Sequence, residues 1–114
     1  MSDECLFCKI VAGQIPSTTV YETDEILAFR DINPQAPTHV VVIPKEHHTD
    51  IAALAAADPA LAGRLAGAAA DVAKQEGVGD AFRLVFNTGA SVGQSVFHVH
   101  GHVLGGRSFG WPPG

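Results

Sequence analysis

The chain has 114 residues, of which 46% are hydrophobic and 17% are charged, so it is large enough for one compact domain with a buried core. Its net charge is −5 with seven Lys and Arg residues, and this balance argues against a nucleic-acid-binding protein. No apolar run reaches about 18 residues, and no signal peptide is recognisable. We therefore expect a cytoplasmic protein without a membrane span.

Hydrophobic spacing and turn residues divide the chain into short elements. In chain order they predict a short helix in 4–12 ended by Gly13, a hairpin from 18–22 and 26–31, a loop at 33–37, a strand at 39–43 ended by Pro44, a short helix in 50–57, a longer helix from Pro59 to about Glu76, a strand at 82–87, a glycine-containing turn at 88–93 and a strand at 95–104. This order predicts an α+β fold, with an antiparallel sheet of about five strands, one main helix and a short N-terminal helix.

The main helix has a clear start and a clear apolar face. Asp58 and Pro59 suit the N-cap and the first helical position. One stripe of small and apolar residues then runs along the helix and would pack on the sheet, namely Leu61, Leu65, Ala68, Ala69 and Val72.

The two cysteines, Cys5 and Cys8, form a C-x-x-C pair near the start of the chain. A structural disulfide is disfavoured in a reducing compartment, and no strand precedes the pair as in a thioredoxin-like redox motif. Two metal ligands are the favoured interpretation. The pair is only half of a zinc site, however, and unliganded thiols remain the alternative.

Three histidines at every second position, His98, His100 and His102, dominate the last predicted strand. Alternation in a strand would place them on one face, with Val99 and Val103 on the other. A packed core does not need three adjacent imidazoles, since each ring nitrogen requires a partner when buried. A three-histidine metal site is one alternative, and nucleophilic catalysis at phosphorus is another.

The residues just before the histidines favour chemistry at phosphorus. Gly93 allows backbone N–H groups to approach an anion closely, and Asn87 and Ser95 offer side-chain donors. A three-histidine metal site gives these residues no role. Imidazole, with a pKa near ~6.5, is a suitable nucleophile for a phosphoryl centre.

The segment His98–Leu104 resembles the histidine triad (HIT) superfamily, whose signature is H-φ-H-φ-H-φ-φ with φ apolar. Further segments resemble its HINT branch of nucleoside phosphoramidases, and they are Ile15–Pro16, Leu27–Phe29, Asp31–His39, Ile43–Lys45, Gly93–Val96, Val103–Arg107 and Trp111–Gly114. Gly101 departs from the signature, which has a larger apolar residue there. Because this position lies opposite the histidines, we expect altered packing and retained chemistry.

The resemblance implies a nucleotide-binding hydrolase of phosphorus–nitrogen bonds. His100 matches the nucleophile, which forms a nucleotidyl-histidine intermediate, and His102 and His39 match positions that contact the phosphate and assist proton transfer. The phosphate-binding positions are Asn87, Gly93 and Ser95. Asp31 matches the carboxylate that binds the ribose hydroxyls, and the purine pocket corresponds to Leu6, Phe7, Ile10, Leu27 and Ile32.

The same resemblance implies one HIT domain over residues 1–114 and a homodimer whose sheets join across the subunits. Residues 105–114 then form a C-terminal tail that docks on the partner subunit. Trp111, the chain's one tryptophan, would reach the partner's site, although a disordered tail is the simpler alternative.

Several members of the family carry a structural zinc ion, and this gives the cysteines a role. The matching ligands here are Cys5, Cys8, His47 and His98, with His48 as a competitor to its neighbour. One zinc per chain would tie the N-terminal segment to the strands, and catalysis would need no cofactor.

The predicted function is therefore hydrolysis of purine nucleoside phosphoramidates of the adenosine 5′-monophosphoramidate type. A dinucleoside polyphosphate hydrolase, as in the Fhit branch, is an alternative that the HINT-like ending disfavours. A nucleotide-binding regulatory protein is a third possibility. The physiological substrate, its amine and the role of Gln94 do not follow from the sequence.

Overall fold

The computed structural model describes residues 4–114, which form a five-stranded antiparallel sheet and three α-helices. The helices are α1 (Leu6–Val11), α2 (Ile51–Ala57) and α3 (Pro59–Gln75). The strands are β1 (Thr19–Glu22), β2 (Ile26–Arg30), β3 (Thr38–Pro44), β4 (Phe82–Phe86) and β5 (Gly101–Gly105), in the order β1-β2-β3-β5-β4. The predicted α+β fold is confirmed. Among these residues, no helix is both long and apolar enough to cross a bilayer.

The two faces of the sheet carry separate apolar clusters, because side chains alternate along each strand. One face packs against α2 and α3, and its buried residues are Ile26, Ala28, Val40, Val42, Leu54, Leu61, Leu65, Ala68, Ala69, Val72, Ala73, Val99 and Val103. On the other face a smaller buried cluster surrounds the α1 side chain Phe7, and it consists of Leu27, Phe29, Val41 and Ile43. The short helix α1 covers only part of this second face, which leaves room for a cavity.

Side-chain caps mark the starts of α2 and α3, and the cap of α3 is the predicted one. Asp50 accepts a hydrogen bond from the backbone N–H of Ala53 at 2.8 Å, and Asp58 accepts one from Leu61 at 3.1 Å. Pro59 occupies the first turn of α3, where its missing N–H costs nothing. The five residues of the predicted apolar stripe are all buried.

The predicted strand at 95–104 is wrong in its first half, because β5 begins only at Gly101. Gly101 pairs with Phe86, the last residue of β4, so the sheet offers no further partner on that side. On the other side β3 ends in Pro44, which has no N–H to donate. The Pro44 carbonyl instead accepts a hydrogen bond from Nε2–H of His98 at 2.8 Å.

The alternation of side chains nevertheless persists beyond the end of the ladder. Val99 and Val103 are buried in the helix-side cluster, as predicted. The imidazoles of the triad lie on the α1 side. Phe7 packs edge-on against the rings of His98 and His100, and the ring of His102 lines the cavity. The triad therefore reaches one face without a continuous strand.

The space that Gly101 leaves is filled from the neighbouring strand. A Cβ atom at this position would lie 2.9 Å from Cδ1 of Leu84 and 2.9 Å from Cζ of Phe86. These two β4 side chains pack against the helix-side cluster, on the face opposite the histidines. The departure from the family signature is thus a packing change, as expected.

Candidate functional site

A cavity of about 670 Å³ lies between α1, β2, β3 and the triad segment. Its wall is mainly apolar, and its polar members include Asp31, Ser95, His100 and His102. The lining residues are Leu6, Phe7, Ile10, Ile15, Pro16, Ser17, Thr18, Phe29, Arg30, Asp31, Ile32, Val41, Ser95, Val96, His100 and His102. A concave, mostly apolar cavity with a few polar groups is typical of a small-molecule site.

Four of the five residues predicted for the purine pocket line this cavity, and Leu27 does not. Leu27 is only 5% exposed and belongs to the buried cluster behind the wall. The wall is instead completed by Phe29 and Val41, which sequence reasoning treated only as strand residues. The sequence offers no clear signal for them, because a strand that is buried on both faces does not reveal which of its faces borders a cavity.

His100 is held in one tautomer. Its Nδ1 lies 2.9 Å from the backbone carbonyl of His98, so Nδ1 carries the proton and Nε2 keeps its lone pair. The ring is 7% exposed and lines the cavity, and Phe7 packs edge-on against it with centroids 5.0 Å apart. A single nitrogen lone pair is therefore available for a ligand in the cavity.

A hydrogen-bonded chain fixes the tautomers of the other two cavity-side histidines. The backbone N–H of Gln35 donates to Nδ1 of His39 at 3.0 Å, which places the His39 proton on Nε2. This Nε2–H lies 2.9 Å from Nδ1 of His102 and 3.4 Å from a carboxylate oxygen of Asp31. His102 then carries its proton on Nε2, which makes it a hydrogen-bond donor where it lines the cavity.

These three imidazoles have lowered pKa values and are neutral at pH 7. Burial is the main cause of the lowered pKa in each ring, because it disfavours the charged form. The pKa of His102 falls to about 4, since the nearby His100 and His39 add to the effect of burial. The Asp31 carboxylate acts in the opposite direction on all three rings.

The segment predicted to bind phosphate forms a compact loop beside the triad. It contains a short 3₁₀ turn at Ala90–Val92, followed by Gly93 with φ of 107°, and Ser95 reaches the cavity lining. Asn87 lies next to the glycine, with its Nδ2 3.8 Å from where a Gly93 Cβ would be. Of the three predicted phosphate-binding residues, Ser95 lines the cavity, whereas Asn87 and Gly93 lie against each other in the adjoining loop and do not line it.

Gln94, whose role does not follow from the sequence, supports this loop through hydrogen bonds of its buried side chain. The side chain is 3% exposed, and its Oε1 accepts from the N–H of Gly89 at 2.8 Å. Its Nε2 donates to the carbonyls of Thr49 at 2.7 Å and Val96 at 3.2 Å. With these groups engaged, Gln94 holds the loop in place.

The four predicted zinc ligands come together at the N-terminus of α1. Nδ1 of His98 lies 3.4 Å from each thiol sulfur, of Cys5 and Cys8, and 3.1 Å from Nδ1 of His47. The His47 nitrogen is in turn 3.3 Å from the Cys8 sulfur. All four ligand atoms lie within 4.8 Å of one another, so the cluster can bind one zinc ion.

The donor set fits zinc in spacing and in electrostatics. Ligands at about 2.0–2.3 Å from a tetrahedral zinc are separated by about 3.3–3.8 Å, close to the distances found here. Nε2–H of His98 donates to a backbone carbonyl, which directs Nδ1 toward the cluster. Burial and the adjacent Cys5 raise the pKa of the Cys8 thiol to about 11, and a bound cation removes that obstacle to thiolate formation.

The competing ligand His48 is engaged elsewhere. Its Nε2 lies 2.7 Å from a carboxylate oxygen of Glu46, and its backbone carbonyl accepts the N–H of Val99 at 2.7 Å. The structure therefore favours His47 as the fourth ligand.

A second cluster of metal-ligand residue types, Asp31, His39 and His102, does not fit a metal ion. Its donor atoms are also close together. However, the Gln35 N–H occupies Nδ1 of His39 and keeps the proton on Nε2, the nitrogen that faces the cluster. This trio is a hydrogen-bonded chain with its protons in place. The three-histidine metal site considered from the sequence is a different set, and among the described residues His98 directs its Nδ1 to the cysteine cluster and does not group with His100 and His102.

Residues after β5 leave the sheet and place Trp111 on the surface of the chain. Trp111 is 85% exposed and lies outside the cavity lining of its own chain. Ile32, in contrast, lines the cavity and is fully exposed to solvent. The cavity is thus open to solvent at Ile32.

Comparison with known proteins agrees with this geometry. The HIT domain family matches residues 12–109, which include the whole triad segment. The chain is a HIT-domain protein. This HIT-domain protein resembles a HIT family hydrolase from Legionella pneumophila in fold, with a TM-score of 0.93 and 49% identity, over 97% of this chain and 100% of that one. The match supports a hydrolase of the HIT family.

Two plant relatives carry names that state what they bind or act on. The HIT-domain protein is 51% identical over 111 residues to the 14 kDa zinc-binding protein of Zea mays, covering 96% of this chain and 87% of the relative. It is 47% identical over 121 residues to adenylylsulfatase HINT1 of Arabidopsis thaliana, covering 96% of this chain and 76% of the relative. The first name agrees with the Cys/His cluster, and the prediction of zinc as the cofactor is confirmed.

Proposed function

We propose that this HIT-domain protein hydrolyses adenosine 5′-phosphoramidates through a nucleotide covalently bound to His100. The observation that carries the proposal is the state of His100: a buried, neutral imidazole whose one free lone pair faces the cavity. A neutral nucleophile beside a phosphate-binding loop is what attack at phosphorus requires.

The reaction has two displacements at the same phosphorus. In the first, Nε2 of His100 forms a bond to phosphorus, the P–N bond of the substrate breaks, and the amine leaves after its nitrogen takes up a proton from solvent, which the second step returns. In the second, water attacks phosphorus, the bond to Nε2 breaks, and the water gives up one proton. The products are AMP and an amine, and the imidazole returns to its starting tautomer.

The neighbouring groups suit the charge that develops on the phosphoryl oxygens. His102, neutral with a proton on Nε2, donates a hydrogen bond to one oxygen and stabilises the transition state. Gly93, Asn87 and Ser95 hold the phosphate from the loop side. His39 maintains the His102 tautomer.

The nucleoside would lie in the apolar part of the cavity. Leu6, Phe7, Ile10 and Ile32 provide apolar surfaces for a purine ring. Asp31 borders the cavity and offers a carboxylate to the ribose hydroxyls. The cavity volume of about 670 Å³ accommodates a nucleotide.

Zinc in this proposal is structural. Cys5, Cys8, His47 and His98 would hold it in a closed tetrahedral set, which suits a folding role and leaves no open position for substrate. It anchors α1, which supplies the purine wall, to the triad segment. Zinc thiolates also suit the reducing, cytoplasmic compartment that we expect.

We further propose that residues 1–114 are one HIT domain that works as a homodimer. Strand β4 is an edge strand, with its outer hydrogen-bonding groups available to a second copy. The 105–114 tail would then bring Trp111 to the partner's cavity. Light scattering should give twice the chain mass of 11.9 kDa, and deletion of residues 111–114 should change amine specificity more than stability. A fully active monomer would contradict this arrangement.

The relative named adenylylsulfatase supports a second candidate, in which sulfate replaces the amine as leaving group. Both reactions use the same attack by His100. We expect kcat/KM to be highest for a phosphoramidate such as adenosine 5′-monophosphoramidate, lower for adenylyl sulfate and lowest for a diadenosine polyphosphate. Steady-state assays of the zinc-loaded protein on all three substrates test this order. If adenylyl sulfate or the polyphosphate is turned over faster than the phosphoramidate, the proposed substrate is wrong. Tight AMP binding without turnover of any of the three would favour a regulatory role.

A further inference from the structure

The segment that follows β5 is fastened to the loop that precedes β3. Nε of Arg107 donates to the backbone carbonyl of Gln35 at 2.9 Å, and Nη1 of the same side chain donates to the carbonyl of Ser108 at 2.9 Å. Gly106, with φ of 91°, lies so close to the loop that a Cβ would be 2.9 Å from Cβ of Pro37. The two segments therefore form one packed unit.

Arg107 is itself held by an aromatic ring. Its guanidinium carbon lies 4.1 Å from the centroid of the Phe109 ring, and that of Arg83 lies 5.1 Å from the same centroid. Arg83 also donates to the carbonyl of Gly110. These contacts restrict the Arg107 side chain to the orientation that reaches Gln35.

Gln35 connects this arrangement to the cavity-side histidines. Its N–H donates to Nδ1 of His39, so the His39 proton is on Nε2 and is donated to Nδ1 of His102. The opposite pair of tautomers would have the proton on Nδ1 of both rings. It would then direct two donors, the Gln35 N–H and the His39 Nδ1–H, at each other.

We propose that Arg107 is a positioning residue for His102. By holding the Gln35 backbone against His39, it keeps the His102 proton on Nε2, where it can be donated to a ligand in the cavity. Only the consequence for turnover rests on the proposed function; the tautomers themselves are a property of the folded chain. Phe109 supports the same arrangement through its contact with Arg107.

The direct test is the protonation state of the rings in Arg107→Met. In the zinc-loaded wild type, long-range ¹H–¹⁵N spectra should show His39 and His102 as Nε2–H tautomers, with assignments taken from His39→Gln. In Arg107→Met both sets of nitrogen shifts should move toward values averaged over the two tautomers. Arg64→Met is the matched control, because Arg64 pairs with Glu25 on the surface and should leave the spectra unchanged.

The kinetic test uses the same proteins with adenosine 5′-monophosphoramidate. We expect kcat to fall about tenfold in Arg107→Met, which is less than the 10²–10³ lost when an oxyanion donor is removed outright. Phe109→Leu should reduce kcat in the same direction, while Phe109→Trp, which keeps an aromatic face, should restore it. Arg107→Lys should lie between Arg107→Met and the wild type.

The outcomes separate the two proposals. Altered tautomers together with a lower kcat support the role of Arg107. Unchanged tautomers in folded Arg107→Met overturn it, whatever the activity. Should that variant fail to fold, unchanged tautomers in Phe109→Leu overturn it instead. A wild type that shows the expected tautomers but does not hydrolyse phosphoramidates refutes the proposed function and leaves the positioning role in place.

Discussion

His100→Gly should lower the turnover of adenosine 5′-monophosphoramidate by at least about 10³-fold, because it removes the atom that forms the covalent intermediate. A loss of this size corresponds to about 4 kcal/mol or more in the activation barrier. The fold should survive, since the imidazole faces the cavity and only one hydrogen bond, to the His98 carbonyl, is lost. Steady-state assays give the first quantity, and calorimetric titration with AMP shows whether the site remains.

Trapping the nucleotidyl-histidine intermediate is a second test of the same mechanism. Quenching the wild type during turnover of a labelled substrate should leave one nucleotide on His100, and mild peptide mapping should locate it. The bond is acid-labile, so the mapping must avoid strong acid. Label on a serine, or near wild-type turnover by purified His100→Gly, would contradict the mechanism.

Replacing both cysteines by serine should have the largest effect on stability. The double variant Cys5→Ser/Cys8→Ser loses the two thiolates of the cluster and should contain no zinc. With free zinc a few hundredfold to a thousandfold above the dissociation constant, loss of the site lowers the free energy of unfolding by about 3–4 kcal/mol. This corresponds to a fall in Tm of roughly 10–15 °C for a domain of this size. Elemental analysis and scanning calorimetry measure the two effects.

Single histidine variants show whether the right ligands were identified. His47→Gln should lose zinc, whereas His48→Gln should keep it, because His48 is paired with Glu46. Some turnover should remain in the cysteine variant, since His100 reacts as a neutral imidazole and its attack on phosphorus needs no metal ion. Zinc-free protein from zinc-replete medium would reject the site. Complete loss of activity from a metal-free but folded protein would show that the metal takes part in the reaction.

Most secondary structure could be predicted because local rules and tertiary packing agree. The capping residues Asp50 and Asp58 set the helix starts, and hydrophobic alternation set the strands. The exception was the segment before Gly101, where a strand-like pattern had no partner in the sheet. The end of β3 at Pro44 decides this, and a long-range pairing of that kind is not visible in the triad sequence itself.

Only part of the functional site could be predicted, again because contacts between distant segments are not visible in the sequence. Spacing and the family resemblance identified the triad and the zinc ligands, although Cys5 and His98 are far apart in sequence. The cavity wall formed by Phe29 and Val41 was missed, because buried strand residues do not reveal which face borders a cavity. The contact between Gln35 and Arg107 depends on two irregular segments meeting, and neither carries a motif for it.

The position of Trp111 has a practical consequence for optical work on this protein. It is the one tryptophan of the chain, it lies in the segment after β5, and it is 85% exposed in the single chain. Intrinsic tryptophan emission therefore reports the surroundings of the tail and not the packing of the core. A melt followed by fluorescence can register release of the tail at a temperature where circular dichroism still shows the intact sheet. Such a mismatch between probes would normally be assigned to a folding intermediate, whereas here a local event at one end of the chain is enough to produce it.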